Sequence, residues 1–145
     1  MTTRLLSLPM FMLFTVVAFA QDEAKKDLEK FQGNWVIESV IVDGEPLPAE
    51  VVKVFKMTFK DDNYTVLIGE EKTEGAFHLD PSKNPKTIDI VPENGPDRGR
   101  KQSGIYEFDG DKIKICAAQP GKDRPTNFET KGKIGSTLMI LRREK

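Results

Sequence analysis

The sequence predicts an all-β fold, an up-and-down antiparallel meander of eight to nine strands led by one short N-terminal helix. Three observations carry this. Short segments of alternating apolar and polar residues recur between turn residues, Asp- and Gly-containing pairs join neighbours at hairpin spacing, and no helical period returns after the N-terminus. Hairpins with one apolar face must either pack as two sheets or curl into a closed barrel, and closure leaves no strand edge exposed.

Met1 to Ala20 reads as a secretory signal: Arg4, an apolar run from Leu5 to Phe19, and the small-x-small pattern Ala18-Phe19-Ala20. The run is about 15 residues, short of the ~20 that span a bilayer. Gln21 is therefore expected to begin a mature single domain, residues 21–145, with a periplasmic or secreted address and no stable membrane insertion once the signal is cleaved. The residue directly after the cleavage site is Gln21 and not a cysteine able to carry a lipid anchor.

Gln21 to Lys30 is polar and helix-friendly, with Asp27, Leu28 and Phe31 marking a short helix whose expected work is capping. Phe31-Gln32-Gly33-Asn34-Trp35 joins it to the first strand. A glycine there permits unusual backbone angles and close approach, and an indole two residues later is a large plate able to seal one end of a barrel. In the strand Trp35 to Val42, Trp35, Ile37, Ser39 and Ile41 share one side and Val36, Glu38, Val40 and Val42 the other. Asp43-Gly44-Glu45-Pro46 ends it, and Pro46 and Pro48 predict an extended loop.

Val52 to Lys60 and Asn63 to Ile68 flank Asp61-Asp62, so a two-residue turn sets Phe59 opposite Tyr64 and Met57 opposite Val66. The same parity across Gly69-Glu70 or Glu70-Glu71 adds Thr73, Gly75, Phe77 and Leu79 to that face and points His78 outward. Lys86 to Val91 is a strand with Ile88 and Ile90 in phase, and Pro92 to Lys101 a long charged loop. Ser103 to Phe108 and Lys112 to Ala117 form a hairpin with Tyr106 and Phe108 on the face of Ile113 and Ile115, which leaves Cys116 on the other face. Gln119 to Pro125 is a loop, Thr126 to Lys131 a candidate strand, and Ser136 to Arg143 the last strand, with Leu138, Ile140 and Arg142 in phase.

The totals bound the partners. Lys+Arg 22 against Asp+Glu 23 gives a net charge of -1, so no overall field draws the chain to nucleic acid or an anionic membrane. A hydrophobic fraction of 38% with nine Phe supplies a core. Cys116 is the only cysteine, so no intrachain disulfide exists; it falls on the face of Lys112 and Lys114, the only His, His78, is far off in sequence, and the thiol is read as a small partly buried strand side chain.

Phe31-x-Gly33-x-Trp35 after a short helix, a meander, and a basic residue late in the last strand resemble the lipocalin and calycin superfamily. The resemblance implies a barrel with Trp35 at its closed end beneath an arginine, Arg142 or Arg143, with Arg142 taken as the closing residue. A fuller resemblance is to the lipocalin-like domain family of unknown function common in exported proteins of planctomycete-type bacteria. It rests on Gly33-Asn34-Trp35, Asp43 to Pro48, Asp80 to Asp89, Gly104 to Glu107, Asp109-Gly110-Asp111 and Arg124-Pro125-Thr126. That family has no established activity, and in it the position of Cys116 is commonly cysteine.

No phosphate-binding glycine loop, metal-ligand spacing or nucleophilic triad can be assembled, and His78 stands alone as a base, so the chain is read as neither an enzyme nor a cofactor or metal protein. Asp61, Asp62, Asp109 and Asp111 are turn-capping residues. Two functions remain. In one, a small apolar or amphipathic ligand lies in the barrel against Met57, Phe59, Phe77 and Tyr106. In the other, the interior is filled by its own side chains and the protein, expected to be a monomer, meets protein partners through its loops.

Overall fold

Alternating residues become one nine-stranded antiparallel sheet in the computed structural model, which describes residues 15–145. Helix α1 (Thr15–Phe31) leads to β1 (Gly33–Val42), the short β2 (Glu45–Pro46), a one-turn helix α2 (Ala49–Val52), β3 (Phe55–Lys60), β4 (Asn63–Ile68) and β5 (Glu71–Asp80). β6 (Lys86–Pro92), β7 (Gln102–Asp109), β8 (Lys112–Ala118) and β9 (Ser136–Arg143) complete the chain. β3 to β9 pair in sequence order, β1 pairs with β3, and β9 returns to pair with β1, so eight strands close into an up-and-down barrel with β2 as an extra strand. Of the two ways to hide an apolar face, the chain uses closure. Most of the expected signal, residues 1–14, lies outside the described residues, and Thr15 to Ala20 are the start of α1.

The turns set the phase. Asp61-Asp62 puts Phe59 opposite Tyr64 and Met57 opposite Val66, and Gly69-Glu70 then sets Tyr64 opposite Gly75 and Val66 opposite Thr73. Gly110-Asp111 pairs Tyr106 with Ile115 and Phe108 with Ile113. Phe59, Tyr64, Phe77, Leu79, Ile88, Ile90, Tyr106, Ile113 and Ile115 are all buried in one core, while His78 is exposed.

Three expectations are corrected. β1 does not alternate throughout: between Ile37 and Ser39 its register against β9 slips by one residue, so Glu38 is a β-bulge. Trp35 and Ile37 face inward below the bulge and Val40 and Val42 above it, which explains why both faces of this segment read as apolar. The residues after Pro48 form α2 rather than an extended loop or the start of a strand. The Pro48 carbonyl accepts from the Val51 and Val52 N–H groups, and Val52 is buried. Thr126 to Lys131 is not a strand, because β8 and β9 pair directly with each other and leave it no edge to join.

The segment from Gln119 to Gly135 instead folds over the outer face of β7 and β8, where Ile105, Cys116 and Ala118 are buried despite pointing away from the barrel axis. Side chains hold it there. Arg124 donates to the Gly104 carbonyl at 2.7 Å and pairs with Asp89 at 2.6 Å. Asp43 accepts from the N–H groups of Gly135 and Ser136, and the Thr130 hydroxyl accepts from the Gly44 N–H. The motifs Asp43-Gly44, Asp80 to Asp89, Gly104 to Glu107 and Arg124-Pro125-Thr126 thus meet as fastenings of one loop.

Candidate functional site

The barrel interior has two halves of different character. At the closed end α1 finishes with Phe31, whose fully buried ring enters the barrel and meets Phe59, Phe77, Tyr106 and Phe108 at centroid distances of 5.0 to 5.7 Å. Most of these contacts are edge-to-face, the arrangement aromatic quadrupoles prefer. Phe59, Phe77 and Tyr106, three of the four residues read as ligand contacts, are therefore occupied by a side chain of the protein itself.

Trp35 lies beside this plug, with its Nε1–H donating to the Phe31 carbonyl at 2.7 Å. The arginine over the indole is Arg143, 4.4 Å from the ring, and not Arg142. Trp35 faces inward and pairs with Arg143, which puts Arg142 on the outer face beside the bulge residue Glu38 at 3.9 Å. Arg143 also donates to the carbonyls of Gln32 and Lys30, at 2.8 and 2.7 Å, and so satisfies the open end of α1. Gly33 makes this possible. Its φ is +114°, and a Cβ there would stand 3.1 Å from Arg143 Nη1.

A polar cluster under α1 was not visible in the sequence. Asp27 is 3% exposed and accepts from the Tyr106 hydroxyl and the Lys86 ammonium, both at 2.8 Å. Burial first, and then the bond to this carboxylate, push the Tyr106 phenol far above its ordinary range. The cluster has the look of an acid-base site, yet Asp27 and Tyr106 are buried beneath the helix and the three groups are satisfied by one another, so it serves to dock α1.

The open end holds a cavity of about 350 Å³. Its floor and walls are Met57, Val66, Ile68, Ile90 and Met139, with Tyr64 and Thr73 to one side. Asn94 to Asp97, from the loop between β6 and β7, and Gln102 form its rim. Of the four expected ligand contacts, Met57 alone is on this cavity. The rim loop is fixed rather than free: Asn94 accepts from the Glu74 N–H and donates to the Lys72 carbonyl, and the Glu93 and Gly99 N–H groups bond to the Glu74 and Pro92 carbonyls. Tyr64 is 5% exposed, and burial, with the nearby Glu93 carboxylate adding to it, pushes its phenol up to about 12. The sequence placed Tyr64 and Val66 on the inner face but not at this end, because parity gives the side of a strand and says nothing about depth.

Cys116 is fully buried under the Gln119–Gly135 segment, and burial pushes its thiol up, against the opposing pull of Lys133. Among the described residues no group of His, Cys, Asp and Glu could hold a metal ion, and no helix is long and apolar enough to cross a membrane. No family model, curated protein or solved structure matches the chain.

Proposed function

We propose that the protein is an exported, monomeric carrier that holds a small apolar or amphipathic molecule at the open end of its barrel, and that it belongs to the lipocalin-like group it resembles. The supporting observation is the cavity. Its 350 Å³ lies at the small end of the range for ligand pockets, its floor is apolar, and its rim is polar. Export rests on the signal pattern of Met1 to Ala20. It agrees with the packing of α1, in which Asp27 is the first buried side chain among the described residues, so cleavage after Ala20 would remove no described core residue.

The filled closed end favours the other reading, a structural module acting through the loops at 92–101 and 119–125. Native mass spectrometry of protein purified from its own periplasm separates the two. A retained small molecule that is lost in Val66→Phe, which fills the cavity from an inward strand position, supports the carrier. Bare protein that also takes up no apolar fluorophore supports the module.

A further inference from the structure

Tyr64 is a buried residue whose hydroxyl the fold does not use internally. The residue is 5% exposed, yet its hydroxyl bonds to none of the described residues, whereas the other tyrosine is bound to Asp27. No polar side-chain atom among the described residues is both sealed and unbonded, so this hydroxyl opens on the cavity its ring lines. Water entering the cavity can satisfy this hydroxyl, and a ligand that displaces the water keeps its affinity only if it replaces that hydrogen bond.

Gly75 is shaped to this group. It sits directly opposite Tyr64 on β5, and a Cβ there would meet the Tyr64 ring and hydroxyl at 2.7 Å and collide with the Val91 carbonyl. Of the other polar side chains of the wall, both ends of the Asn94 amide are bonded and Asp97 is paired with Arg100 at 3.0 Å, while Thr73 and Gln102 are only half-buried and remain open to water. No lysine, arginine or histidine lines the cavity. An anionic headgroup there would lose its water beside Asp97 and near Glu93 without gaining a cation.

We infer that Tyr64 is the hydrogen-bond donor that selects the ligand, and that the cavity takes an uncharged apolar molecule bearing a carbonyl or ether oxygen in preference to a carboxylate. This rests on the carrier reading. The phenol keeps its proton to about pH 12, so it remains a donor wherever the protein is folded under ordinary conditions.

Three probes on one frame test this: 4-phenyl-2-butanone, 3-phenylpropanoate and butylbenzene, titrated against the full chain and followed by amide chemical shifts of Met57, Val66 and Ile90. The ketone is expected to bind about tenfold more tightly than the carboxylate, and Tyr64→Phe to bring the ketone down to the level of butylbenzene. A carboxylate that binds as well as the ketone overturns the inference, as does a Tyr64→Phe protein that keeps the ketone affinity. In either case butylbenzene binding would leave the carrier reading standing. If none of the three moves those amides, the carrier reading falls and the inference with it. Should Tyr64→Phe not fold, the unaltered protein still decides: a ketone that binds no more tightly than butylbenzene overturns the donor role.

Discussion

At Arg143 one guanidinium stacks on the Trp35 indole while two of its nitrogens donate to the carbonyls of Lys30, in the last turn of α1, and Gln32, just past it. Its neighbour Arg142 reaches only Glu38, at 3.9 Å on the exposed face. Cation–π contact and charge-assisted hydrogen bonds act together at the first residue, and a solvated ion pair at the second. Arg143→Ala is expected to cost about 2 to 3 kcal/mol and Arg142→Ala under about 1 kcal/mol, read from urea denaturation midpoints. Equal costs would contradict the closing role of Arg143. The sequence narrowed this role to two adjacent arginines but could not choose, because β9 is apolar on both faces, with Leu138 and Ile140 on one and Met139 and Leu141 on the other. Asp27 was less legible still. A carboxylate in a polar helix gives no sign that it will be buried against a tyrosine 79 positions away.

Elements were legible where turns carried the signal. Three two-residue turns fixed the phase of five strands, because pairing across such a turn leaves no freedom of face. β1 was harder, since a bulge is an exception to the alternation by which strands are recognised. The bulge makes an unusual deletion tolerable. Without Glu38, Trp35, Ile37, Val40 and Val42 alternate regularly and all still face inward, whereas without Val36 the indole and Ile37 fall on opposite faces. Deleting Glu38 is expected to cost about 1 to 2 kcal/mol and keep a cooperative thermal transition, and deleting Val36 to abolish it. A cooperative transition in the Val36 deletion would refute the register argument.

For the molecule as a whole, barrel closure followed from the pattern of hairpins, but how the interior is shared did not. Phe31 lies outside every strand, so no count of inward-facing residues included the ring that fills the closed end. Two buried phenols give the assembled fold a pH dependence. In the unfolded chain both ionise near 10.0, while in the fold Tyr64 holds its proton to about 12 and Tyr106 holds it further still. Above pH 10 the unfolded state therefore binds fewer protons, and stability, complete below that point, declines as pH rises toward 12. Urea midpoints should be level to about pH 10 and then fall, with a shallower fall in Tyr64→Phe. A flat profile to pH 12 would show that both phenols are solvated.

The strap from Gln119 to Gly135 also decides the fate of the one thiol. An oxidant, a thiol reagent or a second copy of the chain can reach Cys116 only after Arg124 has let go of Asp89 and the strap has lifted. The protein keeps its one cysteine free by shutting it away, and the pace of its labelling would time how often that door swings open.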